Sequence, residues 1–494
     1  MNGSRSSVKI AAGMGLLAAL LGACAVGPDF VRPAAPAADR YTREPLPPAT
    51  ASADGKAQQF SPDIELRADW WRLFGSAQVD AAVQRAIANN PTVQAAEASL
   101  RQSQDNLRAG YGVFYPHADA DFAASRQRSA PREQGLQTPS SIFNLVTLSG
   151  TVSYALDVFG GERRTVEGLR AQAETERYAA RAAILTLSVN VVNTAIARAG
   201  YAAQVRATEQ LLDLESQQLQ LAEVQVHSGT APFLAMLTVR GQIATNQALL
   251  APLRQKVSEA EDLLATLEGE APSQSTLPEI DLVALALPVD LPVSLPSELV
   301  RQRPDILSAE SQLHVASAEI GVATAAMFPS FNLSATYGGS GARLGNLTAA
   351  SGRFWSIGPS ATVPLFQGGT LWYGRKAAID AFRLSEDNYR QVVLSALAQV
   401  SDSLNALEHD AETLQAQVDS RRAASDALGL LQANYHAGLV AYSDVLSADV
   451  QVHQATLGYL QALAQRHQDT VALFAALGGG WWNGNGQADE GGAP

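Results

Sequence analysis

Few residues in this chain could do chemistry, and they do not converge on one place. Cys24 is the only cysteine among 494 residues, so no intrachain disulfide and no cysteine-rich metal site can form. It follows Leu21-Gly22-Ala23, with Arg5, Lys9 and the apolar run Ile10 to Leu21 further upstream. A basic start and a short apolar run read as a secretory signal, too short to span a bilayer stably. Small residues just ahead of a cysteine look like a bacterial lipoprotein signal, removing residues 1–23 and leaving Cys24 lipidated. Acyl chains there would contribute about 0.8 kcal/mol per buried methylene. Ala25 stands where an inner-membrane retention signal would often place Asp, which favours the outer membrane. An ordinary signal ending beside an unused thiol is the plainer alternative.

The remaining candidates weaken on inspection. His453 and His467 share a helical stripe but lie two heptads apart, about 21 Å along an axis, too far for one metal ion. The run Gly338-Gly339-Ser340-Gly341-Ala342 nearly spells a nucleophile elbow but lacks its last glycine, and reads as an extracellular turn. Asn332-Leu333-Ser334 and Asn346-Leu347-Thr348 match glycosylation sequons, discounted in a bacterial lipoprotein. Past the signal only Met236 and Met327 remain, so soft-metal export gains no support. No acid–base pair, triad or metal cluster converges, so we expect no enzyme, no metal and no cofactor beyond the covalent lipid on Cys24. A net charge of −13 and a pI near 5.1 argue against nucleic acid.

What must position any site is an internal repeat. Pro91 and Pro116 match Pro304 and Pro329, Val158-Phe159-Gly160-Gly161 matches Leu365-Phe366-Gln367-Gly368, and His227-Ser228-Gly229 matches His436-Ala437-Gly438. Each half predicts helix, strand, loop, strand, very long helix, tight turn, helix. Val393, Leu397, Val400, Leu404, Leu407, Ala411, Leu414 and Val418 keep 4-3 spacing, as do Leu446, Val450, His453, Leu457, Leu460, Ala464, His467, Val471 and Phe474. The first half carries a shorter version, Leu185 to Ala203. A 3.5-residue period means helices supercoiled around neighbours. Nothing breaks the helix between Gly161 and His227, which predicts a rod of about 100 Å.

Four segments show period two instead. Leu148, Gly150, Val152, Tyr154 and Leu156 alternate with Ser149, Thr151, Ser153 and Ala155, and similar patterns run near 117–126, 330–338 and 353–366. Apolar-out and polar-in over about ten residues suits transmembrane β-strands, with Tyr115, Phe159, Phe328, Trp355, Phe366 and Trp372 as interfacial aromatics. A half-buried soluble sheet would show the same alternation. Four membrane strands cannot close a barrel, and an open edge in lipid costs several kcal/mol per unpaired backbone group. Several copies must therefore share one barrel; two would leave a filled pore and three a lumen.

Residues 24–62 are rich in Pro and Ala and read as an extended tether, with 63–275 the first repeat, 276–293 a linker or equatorial segment, 294–478 the second repeat and 479–494 a flexible tail. At this point the residues resemble a known family, the outer-membrane efflux proteins (TolC-like outer membrane factors), and specifically their NodT-type lipoprotein branch in RND-type pumps. The resemblance rests on Cys24-Ala25-Val26-Gly27-Pro28-Asp29-Phe30, Asp69-Trp70-Trp71-Arg72-Leu73-Phe74-Gly75, Leu295-Pro296-Ser297-Glu298-Leu299, Arg303-Pro304-Asp305-Ile306, Phe328-Pro329-Ser330 and Ala476-Leu477-Gly478-Gly479-Gly480-Trp481, in that order. It implies an α+β membrane protein: a homotrimer with a twelve-stranded β-barrel, four strands per chain, a long periplasmic α-helical barrel and a small equatorial domain. It also implies a periplasmic adaptor, an inner-membrane RND-type or other transporter, and outward passage of drugs or small toxicants. A type I protein secretion duct and a non-conducting envelope-bridging lipoprotein are the alternatives.

The resemblance also suggests sites. The turns Gly229-Thr230 and Gly438-Leu439 would be periplasmic tips that dock the adaptor, beside their ordinary role as helix C-caps. Asp444, with Tyr435 and Ser447, falls on gating positions; three copies of Asp444 would form a carboxylate ring. An acid in a helix's first turn also simply complements the macrodipole. Ser447 and Val440 stand where relatives often carry Asp and Arg, and Ala235 stands opposite Asp444, so only one repeat could supply a ring.

Overall fold

The computed structural model describes residues 25–62, 64–129, 139–275 and 278–483; Cys24 and the signal lie outside them. The chain divides into two compact units. One takes Met1–Pro33, Leu100–Glu176 and Ala309–Tyr389; the other takes Ala34–Ser99, Arg177–Ser308 and Arg390–Pro494.

The first unit holds an antiparallel sheet of β2 (His117–Ser129), β3 (Ser141–Leu156), β5 (Ser330–Gly341) and β6 (Arg353–Thr362), in the order β2-β3-β5-β6. The pairing decides which side chains share a face, because opposed residues in an antiparallel ladder point the same way. Phe122 opposes Leu148, Val152 opposes Ala335, Tyr154 opposes Leu333, Tyr337 opposes Trp355 and Ala335 opposes Ile357. The apolar sets of all four strands therefore fall on one face. Thr151 pairs with Thr336 on the other, their hydroxyls 3.1 Å apart. One expectation fails here: Gly338 to Gly341 is not a turn but the end of β5. A Cβ on Gly338 would sit 2.6 Å from the Phe354 ring and 2.7 Å from the Leu148 carbonyl oxygen. Those glycines let a strand pass close neighbours rather than reverse. The chain reverses after them.

Long helices account for most of the rest. α1 (Ala77–Asn89) begins at Ser76, whose hydroxyl accepts from the Val79 amide, and α2 (Pro91–Gly110) opens on a proline that needs no amide partner. α3 (Gly161–His227) and α4 (Phe233–Leu267) contain 67 and 35 residues. After β4 (Asp290–Pro292), α5 (Pro296–Gln302) and α6 (Pro304–Ala325), the helices α7 (Thr370–His436) and α8 (Tyr442–Ala476) have the same two lengths. At about 1.5 Å per residue, each 67-residue helix runs about 100 Å. Asp157 starts α3 by accepting from the amides of Glu162 and Arg163.

The 4-3 pattern predicts which faces are buried. Val400, Leu404, Leu407 and Ala411 are fully buried, as are Val471 and Phe474. α3 contains a window apolar enough by composition to cross a membrane, yet its Val191, Val192, Ala195 and Ile196 are packed inside the protein. Gly200 meets Ala464 on α8, where a Cβ would approach to 3.2 Å. Close backbone approach of this kind is what a small residue in a helical seam permits.

The tether is extended but tied down. In the first unit the Val26 amide donates to the Phe159 carbonyl, Phe30 stacks on His314 at 4.3 Å, and Arg164 grips Asp29 at 2.7 Å. Gly27, at φ 97°, lies against Gly321, where a Cβ would sit 2.5 Å from the backbone. In the second unit β1 (Gln59–Ser61) pairs in parallel with β4. Buried Arg466 donates to Gln58 and Thr50, and Gln58 donates to Pro288 and Thr470. The tail expected to be free from 479 is packed at its start: Trp481 donates to Gln302 and Asn483 to Leu66. Residues 484–494 lie outside the described part.

Candidate functional site

Two surfaces stand out, one in each unit. The sheet presents Phe122, Leu148, Val152, Leu156, Leu333, Tyr337, Trp355 and Ile357 at 42–73% exposure. Strands of 10 to 16 residues are long enough to cross a hydrocarbon core when tilted. Aromatic side chains sit beyond the strand ends: Tyr115, Phe328, Phe366 and Trp372 are exposed, and Phe159 stacks on Phe328 at 4.7 Å. Among the described residues, β2 and β6 each carry one unpaired edge. A water-soluble sheet does not leave a contiguous apolar face and two long edges open.

The second surface is built by the paired helix turns. Gly229 (φ 74°) donates to Val226 while Thr230 donates to Gln225; Gly438 (φ 73°) donates to Tyr435 while Leu439 donates to Asn434. Both turns are thus the same Schellman closure, and each needs the left-handed φ that glycine allows. Leu439 is 74% exposed. The turns border a common cleft of about 470 Å³, lined by Ala222, Thr230, Ala235, Tyr435, Tyr442 and Leu446. The Tyr435 and Tyr442 rings meet at 5.2 Å.

Asp444 does not line that cleft. Its carboxylate accepts from the Ala441 amide at 3.0 Å, which satisfies one free donor at the start of α8. Alanine has no acceptor to return the bond, so only half of a capping box is present. Ser447, one turn on, is exposed and donates back to the Ser443 carbonyl. The structure therefore gathers Tyr435 and Thr230 at the cleft, leaves Gly229, Gly438 and Leu439 at the turns, and sets Asp444 and Ser447 on an exposed face.

Sequence reasoning missed a polar layer deeper in the same unit. Glu215 on α3 is 1% exposed; one carboxylate oxygen accepts from Asn246 on α4 at 2.7 Å and the other has no partner. Asp449 on α8 is 7% exposed and accepts from Gln218 on α3 at 3.0 Å. Burial raises both carboxyl pKa values; Asp449 adds to the effect at Glu215, while Asn246 and Gln218 oppose it at their respective partners. Tyr442 is raised in the same way, by burial first and then by Asp449, Tyr435 and Glu215. The signal was readable. Gln204, Thr208, Leu211, Glu215 and Ala222 are buried at 4-3-4-7 spacing, one residue out of step with Ala199 and Ala203, and their polar members disguise the seam.

The two histidines are separate, as their spacing predicts. His453 is buried with its Nε2 unpartnered, and burial lowers its pKa. His467 is pushed down to about 4 by burial, Arg466 and Lys56, so it is a neutral core residue.

With this geometry in place, comparison with known proteins is informative. The family described as outer membrane efflux protein matches residues 82–270 and again 295–479. The toluene efflux pump outer membrane protein TtgC of Pseudomonas putida is 28% identical over 484 residues, 97% of each chain. The pyoverdine export outer membrane protein OpmQ of Pseudomonas aeruginosa is 30% identical over 419 residues, 83% of this chain and 87% of its own. A solved structure of the outer-membrane channel OprN superposes with a TM-score of 0.81 at 24% identity, covering 93% of this chain and all of that one.

Proposed function

This chain belongs to the outer membrane efflux protein family, and from that premise we propose that three copies form the outer-membrane duct of a tripartite efflux pump. The carrying observation is the four-stranded sheet with an exposed apolar face and two open edges. In lipid every backbone polar group must be paired, so β2 of one copy must meet β6 of the next. Three copies of four strands supply twelve, enough for a lumen. The long helices form the periplasmic part of the duct, and Cys24 carries the lipid that anchors it.

Energy comes from an inner-membrane transporter, joined through a periplasmic adaptor that docks at the exposed turns holding Gly229, Thr230, Gly438 and Leu439. Cargo is small and toxic or waste in character. The named cargoes of TtgC and OpmQ, toluene and pyoverdine, differ so much that selection belongs to the transporter. Three exposed Asp444 carboxylates, ringed by symmetry beside Ser447, favour cations at the narrow end, with Tyr435 set back in the cleft as the second gating position. Native mass measurement on detergent-purified protein tests the assembly. Three chains with acyl mass at Cys24 support the duct; a detergent-stable monomer or dimer removes it.

A further inference from the structure

Two acids sit inside the helical packing with no base to neutralise them. Glu215 and Asp449 come from α3 and α8, and each accepts one hydrogen bond, from an uncharged amide. Among the described residues no arginine or lysine pairs with either. Two ionised carboxylates buried in one layer repel each other and lack the hydration each would have in water.

The layer also has an excess of acceptors. The acceptors Glu215 Oε2 and Gln218 Oε1 are buried without partners, and the only unpartnered hydroxyl beside them, among the described residues, is that of Tyr442. Glu215 and Gln218 are three residues apart and share one face of α3. A proton on Glu215 Oε2 adds the donor that the layer lacks and removes one charge. The groups around the two acids can be named element by element. α3 contributes Gln218, α4 contributes Asn246, α8 contributes Tyr442 and His453, and Tyr435 of α7 stacks on Tyr442. Asp449 lies seven residues past Tyr442, the first residue of α8, about 10 Å along the helix, so the layer lies just behind the cleft between the turns.

We propose that Glu215 and Asp449 form a proton-binding site that clamps the helix hairpins behind their turns, and that losing its proton loosens them. The device rests on the duct reading for its consequence, since a loosened layer widens the end of the tube. Its sign follows from the raised pKa values. A carboxyl whose pKa is higher folded than unfolded stabilises fully below its unfolded value, and that stabilisation is lost as pH rises through the folded value. Packing is therefore tightest in acid.

Hydrogen exchange on the full-length detergent-purified assembly tests this, followed in peptides covering 211–222 and 445–455 after correction for the chemical exchange rate. We expect protection to fall about tenfold for each unit by which folding raises the shared pKa, between about pH 5 and pH 9. The double variant Glu215→Gln with Asp449→Asn, isosteric with the protonated pair, should show flat protection across that range. Either single variant should fall between. Should the double variant fail to assemble, infrared difference spectra of the native chain and Asp449→Asn decide. A carboxylic-acid carbonyl band near neutrality that is present in the native chain and weakened in Asp449→Asn supports the site; a band unchanged by the substitution belongs to other acids, such as Asp410, and overturns it. Equal native protection at both pH values, or an unchanged pH dependence in the variants, overturns it. Exchange reads packing whether or not the protein conducts, so failure here leaves the duct reading standing.

Discussion

The buried seam along α7 is apolar, whereas the one along α3 steps by one residue and becomes partly polar. On α7 the buried stripe is Val393, Ala396, Val400, Leu404, Leu407, Ala411 and Leu414, apolar throughout. On α3 it starts the same way with Val192, Ile196, Ala199 and Ala203, then shifts by one residue to Gln204, Thr208, Leu211, Glu215 and Ala222, in which polar and apolar side chains mix. Both helices have 67 residues and both end in the same glycine Schellman pair, which the first turn reinforces with bonds from the Ala231 amide and the Thr230 hydroxyl to the Gln225 carbonyl. What differs is how their hairpins can respond. The apolar stripe itself has one well-packed arrangement, although α7 also carries Asp410, whose carboxyl is pushed up to about 8 by burial and by Asp469 of α8. A polar seam fixes register through hydrogen bonds whose strength depends on protonation. The contrast is therefore between an α7 seam with one titrating acid beside it and an α3 seam that is itself partly polar.

The largest effect should come from breaking the apolar seam. Leu404→Ala should destabilise the assembly by about 2–5 kcal/mol, seen as a lower thermal midpoint in detergent with little pH dependence. The turns come next. Gly438→Ala forces a side chain into the left-handed region, at a cost of about 1–2 kcal/mol, and Gly229→Ala should match it because the closures are the same. A larger cost at Gly438 than at Gly229 would reflect the extra bonds from Ala231 and Thr230 that brace the first turn. Smallest is Asp444→Ala, which removes a cap and should cost about 0.5–1 kcal/mol, with Ser447→Ala close to neutral.

The long-range features were legible where one residue type dominated an element. Period two in β3 and period 3.5 in α7 read directly as strand and coil, and the uninterrupted run from Gly161 to His227 is one helix. Legibility failed where function and packing used the same residue differently. Gly338 to Gly341 looked like a turn because glycine usually marks one; here it makes room for Phe354 and Leu148. Glu215 was invisible because a polar residue at a seam position looks like the end of the seam. Arg466, fully buried on α8, holds Gln58 and Thr50 of the tether, a pairing across more than 400 residues that no local pattern encodes. Asp444 was found by resemblance, and its bond to the Ala441 amide shows the capping role beside which any gating role must be measured.

Single-channel current in a planar bilayer, native chain against Asp444→Ala, decides whether the protein is a duct narrowed at Asp444. The native protein should pass small cation-selective currents, which grow or lose selectivity in the variant. Equal currents in both would keep the duct and discard Asp444 as its narrow point. No current from protein shown to be inserted would contradict the duct itself.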